Sequence, residues 1–292
     1  MKFAHAMFAA LVFSAASAAS AAPVTFSAAG ANSAAIQGQV DAFCSALGTL
    51  NANVAGSFGS GRREINWDGV PDALSAPNNL PSNFFNSTSP RGVQLATPGT
   101  GFQVSANAVN GSSAPIEFGN IDPRYPALFT TFSPQRLFTA LGSNIVDVNF
   151  FIPGSSTAAV TSGFGAVFTD VDVANTTSIE FFNVSNASLG QFFAPNAVGD
   201  ETLSFLGVRF TEGSVISRVR ITSGNQILAP GNTANDLVVM DDFIYAEPIA
   251  AAATVPEPAT LLLIGPLLVA LWIVRRNRLR AWRNVSLRRA GN

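Results

Sequence analysis

The chain has 292 residues, only 12% of them charged, and a formal net charge of −2 that conceals two opposite regions. Residues 23–254 carry seventeen acidic side chains against eight arginines, so nucleic acid and anionic membrane are poor partners for that stretch. The single histidine is His5 and the single lysine is Lys2, which excludes Ser-His-Asp and Cys-His hydrolysis, histidine-bound zinc or copper, and Schiff-base chemistry from everything beyond them.

Lys2 makes a minimal positive n-region, Phe3–Phe13 an apolar stretch, and the Ala/Ser run ending at Ala22 a set of small-residue cleavage sites. Residues 1–22 therefore read as a secretory signal peptide. Residues 23–61 follow as an amphipathic helix and a connector. Ile36, Val40, Phe43, Leu47 and Leu50 recur at steps of four, three, four and three, which predicts a helix over 33–50 with Ser33 as its N-cap and one apolar stripe to bury. Cys44 is the only cysteine, so no disulfide framework is available, and it reads as a small buried apolar residue.

Over residues 62–247 the pattern changes to short strands broken by turns. Arg62–Pro71 ends a strand in an Asp-Gly turn, 77–101 is rich in Asn, Pro and Ser and reads as a packed loop, and strands are predicted over 102–108, 145–152, 163–169, 178–184, 203–210, 216–222 and 237–245. Val146, Val148, Phe150 and Ile152 point one way while Asp147 and Asn149 point the other. Strands at this spacing predict a mainly β fold, a two-sheet jelly-roll-like sandwich carrying one N-terminal amphipathic helix. Residues 248–254 are a linker.

Three chemistries survive the loss of histidine and lysine. Asp170, Asp172 and Asn175 cluster at a predicted strand end, and Asp241-Asp242 sits in the last strand; oxygen groups of this kind suit Ca²⁺, although calcium takes six to eight ligands. Glu64, Glu117, Asp147 and Glu180 are the carboxylates from which a glycan hydrolase would draw its pair, and nothing in their spacing singles two of them out. Trp67, Tyr125 and the loop 78–86 offer rings and amides of the sort that bind sugars, against the competing reading that the rings fill the core; twenty-four Phe and two Tyr favour packing.

The last region is Val255-Pro256-Glu257-Pro258-Ala259-Thr260, the uncharged run 261–274, and Arg275, Arg276, Arg278 and Arg280. Both prolines lack an N–H and hold their neighbours extended. A helix over 259–274 ending in arginines predicts a single transmembrane span with a basic cytoplasmic tail at 281–292. The ordered Pro-Glu-Pro, apolar helix and Arg cluster over 255–280 resembles the carboxy-terminal sorting signal of the PEP-CTERM proteins of Gram-negative bacteria. The stretches 163–172, 203–208 and 239–245 look like sandwich domains of exported members of that family.

The resemblance implies recognition of Pro256, Glu257 and Pro258 by exosortase, a membrane-embedded cysteine transpeptidase, with Arg275, Arg276, Arg278 and Arg280 as membrane-stop charges. It implies an exported type I precursor anchored in the inner membrane and then moved to the cell surface or the exopolysaccharide matrix. On that reading the protein is non-catalytic, has no cofactor beyond the Ca²⁺ candidate, and has as partners exosortase, the membrane and extracellular polysaccharide. The alternatives are a Ca²⁺-dependent carbohydrate-binding module and a carboxylate-based glycan hydrolase.

Overall fold

Asn32, rather than Ser33, starts the helix: its Oδ1 accepts the N–H of Ala35 at 3.3 Å, while the Ser33 hydroxyl donates to the carbonyl of Phe132. The computed structural model in which this is seen describes residues 23–108, 114–233, 235–251, 268–269 and 271–276, in two units, Met1–Ala251 and Ala252–Asn292. The first unit opens with strand β1 (Val24–Gly30) and helix α1 (Ser33–Leu47). Ile36, Val40, Phe43 and Leu47 are buried at the predicted spacing. Leu50 lies beyond the stop at Gly48, whose left-handed φ of 103° ends the helix, and it is exposed.

The strands that follow are β2 (Arg62–Ile65), β3 (Val93–Ala96), β4 (Gly101–Val104), β5 (Phe138–Leu141), β6 (Ile145–Phe150), β7 (Ala159–Val160) and β8 (Gly163–Thr169). Then come β9 (Ser178–Phe182), β10 (Ser188–Phe193), β11 (Leu203–Arg209), β12 (Arg218–Thr222), β13 (Val239–Ala246) and β14 (Ile249–Ala250). One sheet runs β1-β11-β8-β13-β5-β4 with β2 also on β13, a second runs β10-β9-β12-β6-β3, and β14 pairs with β7. These strands pair antiparallel.

Alternation explains how the two larger sheets meet. Val146, Val148 and Phe150 of β6, Val219 and Ile221 of β12 and Ile179 and Phe181 of β9 share one core with Phe164, Ala166 and Phe168 of β8 and Met240, Phe243 and Tyr245 of β13. Leu80, Phe84 and Phe85 of the 77–101 stretch join it, so that segment packs rather than dangles.

The other face of the larger sheet is covered by α1, whose Ile36, Val40, Phe43 and Leu47 lie on Val167, Leu203, Phe205 and Ile244. Gly165 and Gly207 face each other across β8 and β11. A Cβ on either would stand 2.9 Å from the Phe43 ring, so the missing side chains let the helix approach. A third cluster, Phe118, Tyr125, Phe129, Leu137, Leu228, Leu237 and Val239, lies among the loops.

Two parts of the predicted fold class are corrected. Among the described residues the strands divide seven, five and two, which does not confirm a jelly roll. A transmembrane helix over 259–274 is not found among the described residues, which exclude 259–267 and 270. Of the second unit the described residues 268–269 and 271–276 are helical, and no helix among the described residues is long and apolar enough to cross a membrane. The sequence itself is short for a span: the sixteen uncharged residues 259–274 cover roughly 24 Å as a helix against a bilayer core of about 30 Å. The membrane partner and the inner-membrane-anchored precursor go with the span. In the described helical residues Arg276 lies over the exposed Trp272 ring, 5.1 Å from its centroid, and Arg275 is exposed beside it. The signal peptide 1–22, Pro256, Glu257, Pro258, Arg278 and Arg280 lie outside the described residues.

Candidate functional site

Strict alternation on β6, β9 and β12 sends their polar residues to the face turned away from the core. Cross-strand register then sets them in rows. Arg218 stands opposite Asn149 on one side and Phe182 on the other, and Arg220 opposite Asp147 and Glu180. The first row extends through Gln94 of β3 and Ser188 of β10, the second through Gln191 of β10.

Asp147 organises this face. Its Oδ1 accepts from Arg218 Nη1 at 2.7 Å and from Arg220 Nε at 2.9 Å, and its Oδ2 from Arg220 Nη2 at 2.8 Å. Burial opposes the charge on Asp147, but the hydrogen bonds and charges of Arg220 and Arg218 outweigh it and hold the carboxyl below the usual range. Arg218 also donates to Asn186 Oδ1 at 2.6 Å and lies flat over the Phe182 ring, 3.7 Å from its centroid. Ser188 donates to Glu180 Oε1 at 2.8 Å.

At the end of this face a cavity of about 290 Å³ opens between Asn149, Phe151, Asn183, Asn186, Ser217 and Arg218. Three amides, a hydroxyl and a guanidinium line it beside an apolar surface; Asn183 Oδ1 and Asn186 Oδ1 already accept bonds within the protein, which aligns these side chains. That chemistry suits a neutral, hydroxyl-rich ligand.

Sequence reasoning placed Asp147 and Asn149 on one side of their strand but gave no sign that two arginines from a distant strand complete the face. The ring candidates are elsewhere. Trp67 is 1% exposed, stacked on Phe138 with centroids 4.0 Å apart, and its indole N–H donates to the carbonyl of Asp241 at 2.6 Å. Tyr125 is fully buried, and its hydroxyl bonds to the carbonyl of Ala229 at 2.9 Å. In the loop 78–86, Leu80, Phe84, Phe85 and Asn86 are buried. None of these rings can stack on a sugar.

The carboxylates fare differently from one another. Glu64 accepts from Arg62 Nε at 2.7 Å and from the Cys44 thiol at 3.7 Å, so Cys44 is half-buried and hydrogen-bonded rather than a simple apolar residue. Glu117 is pushed up to about 7 by burial and by the charge of Glu201. Asp241 and Asp242 sit side by side at a bulge in β13, both within reach of the Ser133 hydroxyl, at 3.2 and 2.7 Å. Burial raises both, Asp241 well above its ordinary value and Asp242 to about 6. Neighbouring and enclosed, this pair leaves no room for a sugar between its carboxyls.

Asp170 and Asp172 are brought together with Asp200 and Asp236, whose charges reach Asp170. Asn175 is exposed at the loop tip with φ 65°, and no contact places it with them. Among the described residues no three Asp, Glu, Cys or His side chains converge on one point as metal ligands.

No family model matches the chain, and no curated protein matches it. Solved structures similar to it include the enzymatically active domain of tailspike protein 4 of bacteriophage CBA120, at 13% identity over 62% of this chain and 22% of that one, TM-score 0.25. Another is a mutant of a family 29 carbohydrate-binding module, at 11% identity over 56% of this chain and 99% of that one, TM-score 0.23. At those scores neither likeness carries an argument about this fold or its use. The PEP-CTERM resemblance is corrected here: no family model supports it, and the span that the sorting signal requires is missing among the described residues. Exosortase as a partner and sorting to the surface as the function are withdrawn with it.

Proposed function

We propose that this chain is a non-catalytic glycan-binding β domain, which takes a neutral polysaccharide on the outer face of its five-stranded sheet. The observation that carries this reading is the 290 Å³ cavity between Asn149, Asn183, Asn186 and Arg218, continuous with a sheet face of amides, hydroxyls and clamped guanidiniums. Sugar hydroxyls are donors and acceptors at once, and such a face meets both needs. The acidic surplus of residues 23–254 disfavours polyanionic glycans.

Catalysis is disfavoured on this face because its central carboxylate, Asp147, is held ionised by two arginines, whereas a glycosidase acid must keep its proton. The test is binding of wild-type protein and of Asn149→Ala and Asn186→Ala to a panel of neutral polysaccharides by affinity electrophoresis and calorimetry, with reducing ends assayed in parallel. Expected is saturable binding, weakened about tenfold or more by either variant, without release of reducing ends. Wild-type protein that binds none of the panel, or variants that bind as well as wild type, would overturn the proposal.

A further inference from the structure

Asp170 follows the last residue of β8 in the left-handed region, φ 69°, a conformation that costs a non-glycine residue energy and that surrounding contacts must hold in place. One such contact is its N–H, which donates to the carbonyl of Thr202 at 3.0 Å. The residue is 5% exposed, and its Oδ1 is buried with no hydrogen-bond partner among the described residues. A buried carboxylate oxygen left unpaired is destabilising, and native proteins rarely keep one without a proton, water or ion to satisfy it.

Its surroundings supply further negative charge. Asp172, Asp200 and Asp236 all act on Asp170, and no basic side chain is among the charges that do. Two of these acids already fasten loops to one another. Asp236 Oδ1 accepts the N–H groups of Asp172 at 2.6 Å and Val173 at 3.1 Å, and its Oδ2 accepts the Thr176 hydroxyl. Asp172 Oδ1 accepts the N–H of Gly199 at 2.7 Å, while the Asn196 side chain donates to the Asp172 carbonyl. Asp200 stands exposed at the rim. The β8–β9, β10–β11 and β12–β13 connections thus meet around one unpaired carboxylate.

We propose that Asp170 Oδ1 is a ligand for a divalent cation of the calcium class, seated where these three connections meet, with loop carbonyls and water completing the shell and Asp172, Asp200 and Asp236 supplying its negative field. Calcium accepts neutral oxygens freely, so a shell built on fewer than three carboxylates is within its habit. An all-oxygen donor set without histidine disfavours zinc and copper.

The experiment is calorimetric titration of the full chain with calcium chloride, with melting followed in calcium chloride and in EDTA. Wild type, Asp170→Asn and Asp200→Asn are compared; Asn is close to Asp in size and shape, and Asp200 is exposed, so neither change threatens the fold. Expected is saturable binding, a higher melting temperature in calcium, and about tenfold or greater loss of affinity in Asp170→Asn. Asp200→Asn weakens binding less. Absence of both heat and melting shift at millimolar calcium, or Asp170→Asn binding as well as wild type, would refute the site. Should Asp170→Asn fail to fold, unchanged affinity in Asp200→Asn refutes it instead. Polysaccharide binding measured in EDTA is a separate readout, so either proposal can fail alone.

Discussion

Arg63 and Glu247 form a two-point ion pair with both side chains fully buried, Nε to Oε2 at 2.8 Å and Nη2 to Oε1 at 2.9 Å. The pair also gathers the connector after α1. Arg63 donates to the carbonyls of Ala52, Gly56 and Pro90, and Glu247 accepts from the Asn51 amide and the N–H of Phe58. Residues 51–58 have almost no apolar anchor of their own, so their shape depends on these bonds. Removing one partner leaves an uncompensated buried charge, which costs about 3 to 5 kcal/mol. Arg63→Ala and Glu247→Ala are each expected to lower the urea midpoint by that equivalent, and the double variant to be less damaged than the two losses added together. A double-mutant cycle by equilibrium unfolding checks it.

Gly207 is the second point of vulnerability. An added methyl would meet Phe43 at 2.9 Å and lift α1 from the sheet. Gly207→Ala is expected to destabilise by about 1 to 3 kcal/mol, with faster amide exchange confined mainly to α1. Unchanged exchange in 33–47 would count against the glycine seat. Gly38, whose added Cβ meets nothing, serves as the control: Gly38→Ala is expected to stabilise slightly.

Stability should respond to pH in an unusual direction. Asp170, Glu117 and Asp242 titrate in the folded protein at about 8, 7 and 6, above their ordinary values, chiefly because burial disfavours their charged forms. Between about pH 4 and 8 the unfolded chain therefore holds fewer protons than the folded one, and stability falls as pH rises through that window. Asp147 and Asp122 are depressed, so their contribution is lost only as pH drops below about 4. Melting in EDTA is expected to peak near pH 4 to 5 and decline toward pH 8; a peak at pH 7 or above contradicts this.

Cys44 should be sluggish. Burial, with the Glu64 carboxylate as acceptor and neighbour, raises the thiol to about 11, although Arg62 opposes the shift. Little thiolate then exists at neutral pH. Native protein is expected to label with a thiol-specific disulfide reagent far more slowly than unfolded protein, and Glu64→Gln to speed the reaction. Equal rates in native and denatured samples would show that the thiol is not protected.

Periodicity made the helix and the central strands legible, because Ile36, Val40 and Phe43 at one spacing and Val146, Val148 and Phe150 at the other each bury one side. It failed where the signal is weak or long-range. β1 reads VTFSAAG with no clean alternation and takes its register wholly from β11; β10 is an edge strand with little apolar content turned inward. Trp67 carries on the inward parity of Arg63 and Ile65 past the end of β2, a sign the sequence did offer, and its ring is buried with Ile65 in the core. The polar face was half legible: Asp147 and Asn149 declare their side, but Arg218 and Arg220 lie some seventy residues on, and only register brings them there. At the C-terminus, charge and hydrophobicity imitated an anchor whose length falls short of one.

Asp147 grips Arg218 and Arg220 together while Phe182 lies beneath Arg218, so these long side chains are immobilised before anything lands on them. A surface already stiff surrenders little motional freedom on contact. Its hold on a partner is then governed by how slowly that partner leaves, and its choosiness by contour rather than by adaptation.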